Sequence, residues 1–217
     1  SRTPSQAMNQ RILRVTIKLY LALEPGAKAP LRASEDASGY DLFAHHDAVI
    51  EPGETVLIST GVRLAIPEGY EAQVRPRSGL SLRTKLRVAN SPGTIDADYR
   101  GLVSIICENT QSLLDPVSYL LGHPDEIDHF HERYQSITLN EYMHERTRKD
   151  CSTLDLSEKN LYLDPQGHPL GTIYITRGER VAQLVFMKVK IPELIEVDDV
   201  SVIGNDRGGG FGSTGKR

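Results

Sequence analysis

Asp96 and Tyr99 stand on either side of Ala97-Asp98 in the run Gly93-Thr94-Ile95-Asp96-Ala97-Asp98-Tyr99-Arg100-Gly101. The run reads as an extended segment, a tight reversal and a second extended segment continuing through Leu102-Val103-Ser104-Ile105-Ile106. A two-residue turn at Ala97-Asp98 brings Asp96 and Tyr99 opposite one another on one face. That face carries a carboxylate able to act as a base beside a flat ring able to carry a planar ligand. In isolation D-x-D-Y is a polar turn whose aspartates serve only turn geometry.

Arg77-Ser78-Gly79 adds a second kind of chemistry. Glycine permits close backbone approach, serine donates a hydroxyl, and arginine supplies planar donors that stay charged, a combination suited to a chain of phosphates. Asp41 offers a hard oxygen of the kind Mg²⁺ prefers, or else caps a loop. Gln183 lies in an apolar strand, where a buried amide needs partners. Asn90 on its own reads as a loop residue. The tail Asp206 through Gly215 is too rich in glycine to order alone, yet it holds Arg207 and Phe211.

Together these stretches resemble the five ordered motifs of the trimeric dUTP diphosphatases (dUTPases). They are Ala37-Ser38-Gly39-Tyr40-Asp41-Leu42, Pro76-Arg77-Ser78-Gly79-Leu80-Ser81-Leu82, the turn segment led in by Asn90 and Pro92, Arg177-Gly178-Glu179-Arg180-Val181-Ala182-Gln183-Leu184, and Arg207 through Gly215. The resemblance covers roughly residues 12–109 and 172–217, and five motifs in order are far more specific than any one.

The resemblance implies hydrolysis of dUTP to dUMP and pyrophosphate by in-line attack of water on the α-phosphorus. Asp96 would be the catalytic carboxylate, orienting the water and approaching the 3′-hydroxyl. A carboxylate of ordinary pKa, about 4, is a weak base at neutral pH, so such a site works chiefly by holding water in line. Tyr99 would stack on the deoxyribose and exclude a 2′-hydroxyl. Asn90, Gly93, Thr94 and Ile95 would read uracil, and Arg77, Ser78, Gly79 and Gln183 would take the phosphates. Asp41 would hold Mg²⁺ through water. Phe211 would stack on uracil while Arg207, Gly212, Ser213 and Thr214 close over the γ-phosphate. The usual lid motif is R-G-x-G-G-F, whereas only three glycines separate Arg207 from Phe211 here. Also implied are a homotrimer with shared active sites and a jelly-roll-like β-barrel.

Composition agrees with an ordinary globular protein, with 39% hydrophobic and 25% charged residues. A net charge of −4 gives no reason to expect nucleic acid as a partner. No apolar run reaches the ~18–20 residues of a membrane span, so no membrane is expected. Cys107 and Cys151 form no CxxC pair or disulfide framework, which favours the cytoplasm. Ser1 to Ala7 precede Met8 and read as an expression remnant.

The elements that must position these residues are mostly strands. Odd positions from Leu13 to Leu23 are apolar and even ones include Arg14, Thr16 and Lys18, the period of a half-buried strand. Ala48–Ile50, Thr55–Ile58, Gly61–Ile66 and Tyr70–Arg75 follow as short strands between Pro/Gly turns, an all-β pattern. Residues 110–171 break it. Asp125 is expected to N-cap a helix bearing Ile127, Phe130 and Tyr134, and Thr138 with Glu141 to form a capping box for a second bearing Leu139, Tyr142 and Met143. The expected organisation is a β-barrel core at 8–109 and 172–205, a small, mainly helical insert at 110–171, and a lid at 206–217. His129 and His131 would project about 200° apart on a helix, which argues against a metal site in the histidine-rich insert.

Two other readings compete. A dCTP deaminase of related fold lacks the Asp96–Tyr99 pattern and the F-G-S-T-G lid, and would release ammonia from dCTP. An interaction protein would instead act through the insert, binding a protein partner there.

Overall fold

The computed structural model describes residues 17–205. In chain order the strands of the first half are β1 (Tyr20–Leu23), β2 (Leu31–Arg32), β3 (Tyr40–Phe43), β4 (Ala48–Ile50), β5 (Thr55–Ala65) and β6 (Tyr70–Pro76). A short helix α1 (Ser78–Arg83) leads to β7 (Leu86–Val88), β8 (Gly93–Ile95) and β9 (Leu102–Asn109). Then come α2 (Pro116–Gly122), α3 (Phe130–Arg133), β10 (Gln135–Thr138), α4 (Leu139–Thr147) and β11 (Asn160–Leu163). The chain returns through β12 (Ile173–Ile175) and β13 (Arg180–Lys188). Among the described residues no helix is long and apolar enough to cross a membrane.

Two antiparallel sheets, β1-β5-β9-β7 and β2-β3-β13-β6-β8, make a jelly-roll-like all-β body. Alternation decides which side chains enter the space between them: in β9 Val103, Ile105 and Cys107 are buried while Leu102, Ser104 and Ile106 face outward. Leu42, Ile50, Val62, Ile105, Val181 and Leu184, all at most 2% exposed, meet there. At roughly 1.5–3 kcal/mol per fully buried aliphatic side chain, this shared core sets the strand register.

The alternation read from Leu13 to Leu23 holds in facing at Ile17, Leu19 and Leu21, while Leu13 and Val15 lie outside the described residues. Ile17, Leu19 and Leu21 line an apolar groove with Leu64, Leu184 and Phe186. Only Tyr20–Leu23 of that stretch is strand among the described residues, and as an edge paired with β5 alone it stays open: Leu21 and Leu23 are more than 40% exposed. Residues 189–205 contain no strand, and Ile191 and Leu194 are about nine-tenths exposed.

Residues 110–171 build small cores of their own. Leu139, Tyr142, Cys151 and Leu161 form one, and Phe130, Tyr134 and Leu170 another. Thr138 and Glu141 make the capping box, and Leu139, Tyr142 and Met143 turn inward as their spacing requires. Asp125 does not cap a helix. It lies inside a 3₁₀ turn (Pro124–Glu126), and α3 starts only after His129. The cap that forms is Asp115, which accepts from Ser118 N at 2.9 Å with Pro116 at the first helical position. Nor is the segment helical throughout, since β10 and β11 pair antiparallel over four residues.

Among the polar ties that join this segment to the β body, two are built on single residues. Buried Asn109 donates through Nδ2 to the carbonyls of Ile50 (3.0 Å) and Gly171 (2.9 Å), while its oxygen accepts from Gln111 N (3.0 Å). It thereby fastens both ends of the segment. Glu51, in the β4–β5 turn, accepts from Tyr142 at 3.1 Å, from Arg146, and meets His168 Nδ1 at 2.7 Å. His168 is therefore a clamped side chain.

Candidate functional site

The phosphate-suited residues converge because β13 lies between β3 and β6. In register, Gln183 faces Asp41 on one side and Arg75 on the other, and Ala182 pairs with Pro76. Arg77 follows at the N-terminus of α1 without capping it. Its Nε instead donates to Asp41 Oδ1 at 2.9 Å and its Nη1 to the Arg180 carbonyl at 3.3 Å. Arg180 Nη1 donates to the other oxygen, Oδ2, at 3.3 Å. A single carboxylate thus holds two guanidiniums side by side, both still partly open to solvent. Gln183 donates to the Pro76 carbonyl at 2.9 Å, and its carbonyl end fills the space that a side chain on Gly39 would occupy.

Arg77 and Arg180 border a cleft of about 430 Å³ together with Leu80, Arg83 and Thr84. Ser78 and Gly79 open α1 at its edge. Arg180 and Gly39 join this cluster, though the sequence reading gave neither a role. Both lie in the quoted motifs, but only the register shows what they touch. Arg177, by contrast, is a staple: its amide donates to Asp47 at 2.7 Å and its Nη2 to the Gly26 carbonyl at 2.9 Å.

The turn residues form a second cluster. The amide of Tyr99 donates to the Asp96 carbonyl at 3.2 Å, closing the reversal over Ala97-Asp98. Arg100 ties it down through the carbonyls of Ala97 (2.6 Å) and Tyr99 (2.9 Å), and Tyr99 Oη donates to the Leu102 carbonyl at 3.0 Å. The two arms do not continue as a hairpin ladder. β8 pairs with β6 in one sheet and β9 with β5 and β7 in the other, so the turn spans the mouth between sheets. Asp96 is exposed and its carboxylate has no partner among the described residues; Tyr99 is 45% exposed. Both border a concavity of about 270 Å³ with Thr94 and Ile95. Asn90 sits over Gly93, close enough that a side chain there would meet its amide.

These clusters do not meet within one chain. Ile95 pairs with Ala72 near the start of β6, whereas Arg77 follows its end. About six residues of strand therefore separate Asp96 from Arg77, roughly 20 Å at ~3.3 Å per residue. Arg207, Phe211, Gly212, Ser213 and Thr214 lie outside the described residues.

Comparison with known proteins points to one family. A family model described as dUTPase matches residues 26–113. The deoxyuridine 5′-triphosphate nucleotidohydrolase of Hydrogenobaculum sp. is 35% identical over 196 residues, spanning 90% of this chain and 95% of its own length. That of Chlamydia caviae is 60% identical over 89 residues, where the match spans 40% of this chain and 60% of the relative. A solved Staphylococcus bacteriophage 80alpha dUTPase, a point mutant with dUpNHpp, has a TM-score of 0.64 at 27% identity, covering 93% of this chain and all of that one.

A jelly-roll-like β body beside these relatives is that of a nucleoside triphosphate pyrophosphohydrolase. The chain belongs to the dUTPase family, the enzymes that hydrolyse dUTP to dUMP.

Proposed function

We propose that hydrolysis here proceeds by in-line attack of a water molecule on the α-phosphorus, with Asp96 accepting a hydrogen bond from that water. The new P–O bond forms to the water oxygen as the bond to the bridging oxygen breaks, the water's proton passes by way of Asp96 to solvent, and pyrophosphate leaves. Supporting this reading is one observation above others: a carboxylate without a protein partner among the described residues stands beside a half-exposed tyrosine on a turn fastened by Arg100. Such a turn pre-positions its side chains, which is what a water-orienting site requires. Tyr99 packs against the deoxyribose, and Asn90 with Gly93, Thr94 and Ile95 reads uracil. Arg77, Ser78, Gly79 and Gln183 grip the phosphates, joined by Arg180. Arg207, Phe211, Gly212, Ser213 and Thr214 close over the nucleotide.

Among the described residues no three carboxylate, histidine or cysteine side chains gather as a metal cage. Asp41, with an arginine on each oxygen, fits a role toward a hydrated Mg²⁺ brought in on the triphosphate and not that of a direct ligand. Bound there, Mg²⁺ would neutralise phosphate charge.

The separation of the two clusters supports a homotrimer in which the arginines of one subunit face the turn of another. The uncovered apolar positions on β1 and along residues 189–205 supply surface for such contacts. The division of the chain into a β core, an insert at 110–171 and a closing tail belongs to the same reading, as does a protein partner for the insert. Cys107 and Cys151, both free and buried, suit a reducing cytoplasm.

Asp96→Asn tests the mechanism. Turnover of dUTP should fall by several orders of magnitude while binding survives, as for a group used mainly in the transition state. Equal losses in turnover and binding would refute the role. Release of ammonia from dCTP would refute the substrate.

A further inference from the structure

The geometry points to a second anion-binding site, in the cleft where α1 and β7 of the β body meet α2 of the 110–171 segment, built for a small phosphorylated molecule. The cleft holds about 460 Å³, room for a nucleotide or a pyrophosphate. Arg83, Lys85, Arg87 and His123 line it, with Tyr119 and Ser118 beside them, and none of the described lining residues is acidic. Concentration of one charge sign in a concave wall focuses field and draws in ligands of the opposite sign.

Arg87 is the most built of these groups. Its Nη1 donates to three carbonyls, those of Ser81 (3.1 Å), Thr84 (2.9 Å) and Leu86 (2.7 Å). The guanidinium is thereby fixed at one nitrogen. Its Nε and Nη2 have no protein acceptor among the described residues, and neither is shut away from solvent. A guanidinium anchored on one side and open on the other is prepared for an oxyanion at little entropic cost. Lys85 and Arg83 likewise bear side chains with no acceptor among the described residues.

On the opposite wall the rings of Tyr119 and His123 stack at 4.2 Å with planes 14° apart. His123 Nδ1 lies 2.9 Å from the Tyr119 carbonyl, so that nitrogen is the donor and Nε2 is left as an acceptor for an N–H or O–H, which a nucleoside offers and a bare phosphate does not. Cations on one wall and stacked rings on the other are the chemistry of a nucleoside phosphate or of its bare phosphate groups.

The cleft is distinct from the substrate cluster but adjoins it, since Arg83, Thr84 and Ile173 border both cavities. An occupant would bridge α1, which follows Arg77, to the 110–171 segment. It would thus be an effector acting on the phosphate end of the active site.

The test uses the full chain with its active sites filled by a non-cleavable imido analogue of dUTP, so that only other sites remain. Calorimetric titration with inorganic pyrophosphate should then show saturable binding. Lys85→Glu should weaken it at least tenfold, and Lys159→Glu, the same charge change outside the cleft, by less than twofold. Both variants should melt and turn over dUTP as the parent does. No saturable binding to the analogue-filled protein, or equal affinity in parent and Lys85→Glu, would overturn the proposal. A parallel titration with dTTP separates the sources. Tighter binding than pyrophosphate, with the advantage lost in His123→Ala, supports a nucleotide; equal affinity supports recognition of the phosphates alone.

Discussion

Arg77 Nε donates to Asp41 Oδ1 at 2.9 Å, while the other oxygen of the same carboxylate takes Arg180. Two like charges are thus held near one another by a third group between them. Asp41→Asn removes the charge but keeps the shape, leaving two arginines with a weaker acceptor. Hydrogen bonds to charged groups contribute about 1.5–3 kcal/mol each. At about 1.36 kcal/mol per decade, kcat/KM for dUTP should fall about 10- to 100-fold. The Mg²⁺ concentration for half-maximal activity should rise as well. Steady-state kinetics across a Mg²⁺ series checks both, and unchanged kinetics would show that Asp41 does not position the arginines.

Gly39 and Gln183 fit together in a way that leaves no space for a methyl group. A Cβ at Gly39 would stand 2.2 Å from Gln183 Oε1 and 3.2 Å from its Cδ. In Gly39→Ala the amide must swing away and give up its bond to the Pro76 carbonyl, at an overpacking cost of about 1–3 kcal/mol. Turnover should fall about tenfold or more while the fold survives. Since both changes act through one amide, Gly39→Ala/Gln183→Ala should be no worse than Gln183→Ala alone. Additive losses in that cycle would separate the two residues.

How much of this was legible beforehand divides along range in sequence. Local signals were readable where neighbours alone decide the outcome, as at β4 (Ala48–Ile50) and the Thr138–Glu141 box. The β10–β11 pair was not, because Gln135–Thr138 and Asn160–Leu163 recognise each other only across the intervening helix. Asp125 misled because its spacing to Ile127, Phe130 and Tyr134 matches one helical face. Pro124 with the 3₁₀ turn interrupts that face, and Asp115-Pro116 upstream is the stronger start signal. At the site, residue type together with the family resemblance named Arg77, Asp41 and Gln183. That β13 sits between β3 and β6, so that these three meet while Asp96 stays at the far end, is a property of sheet order alone. The arms of the Asp96 turn parted into different sheets for the same reason.

Gly101 keeps room for Tyr99. A Cβ there would lie 2.2 Å from Tyr99 Oη and 2.4 Å from Cζ, closer than any real contact, so the ring would have to leave. The Oη bond to the Leu102 carbonyl would go with it. If Tyr99 excludes a ribose 2′-hydroxyl, Gly101→Ala should behave as Tyr99→Ala does and relax the preference for dUTP over UTP by at least tenfold. The comparison is of kcat/KM for the two nucleotides in each variant. A Gly101→Ala protein with lower activity but intact sugar preference would contradict the exclusion role.

Glu51 is the group whose titration should be visible in stability. Burial alone would push its carboxyl up, but hydrogen bonds from Arg146, His168 and Tyr142, with the Arg146 charge, outweigh burial and hold it below the ordinary value of 4.5. A carboxyl lowered in the folded state stabilises the fold above its unfolded pKa and loses that contribution as pH falls through the native one. Melting temperature should therefore drop below about pH 4.5, and Glu51→Gln should flatten that part of the profile while lowering stability at neutral pH by about 1–3 kcal/mol. Tyr142 supplies the alkaline counterpart. Burial first, and then the charge of Glu51, push its hydroxyl up to about 12, so its contribution is complete below the unfolded value of 10 and lost as pH rises through 12. Tyr142→Phe should remove the alkaline loss and, by taking one hydrogen bond from Glu51, shrink but not abolish the acid one. Melting curves of parent, Glu51→Gln and Tyr142→Phe between pH 3 and 11 separate the two limbs, and a parent profile shared by both variants would show that this clasp does not hold the 110–171 segment to the β body.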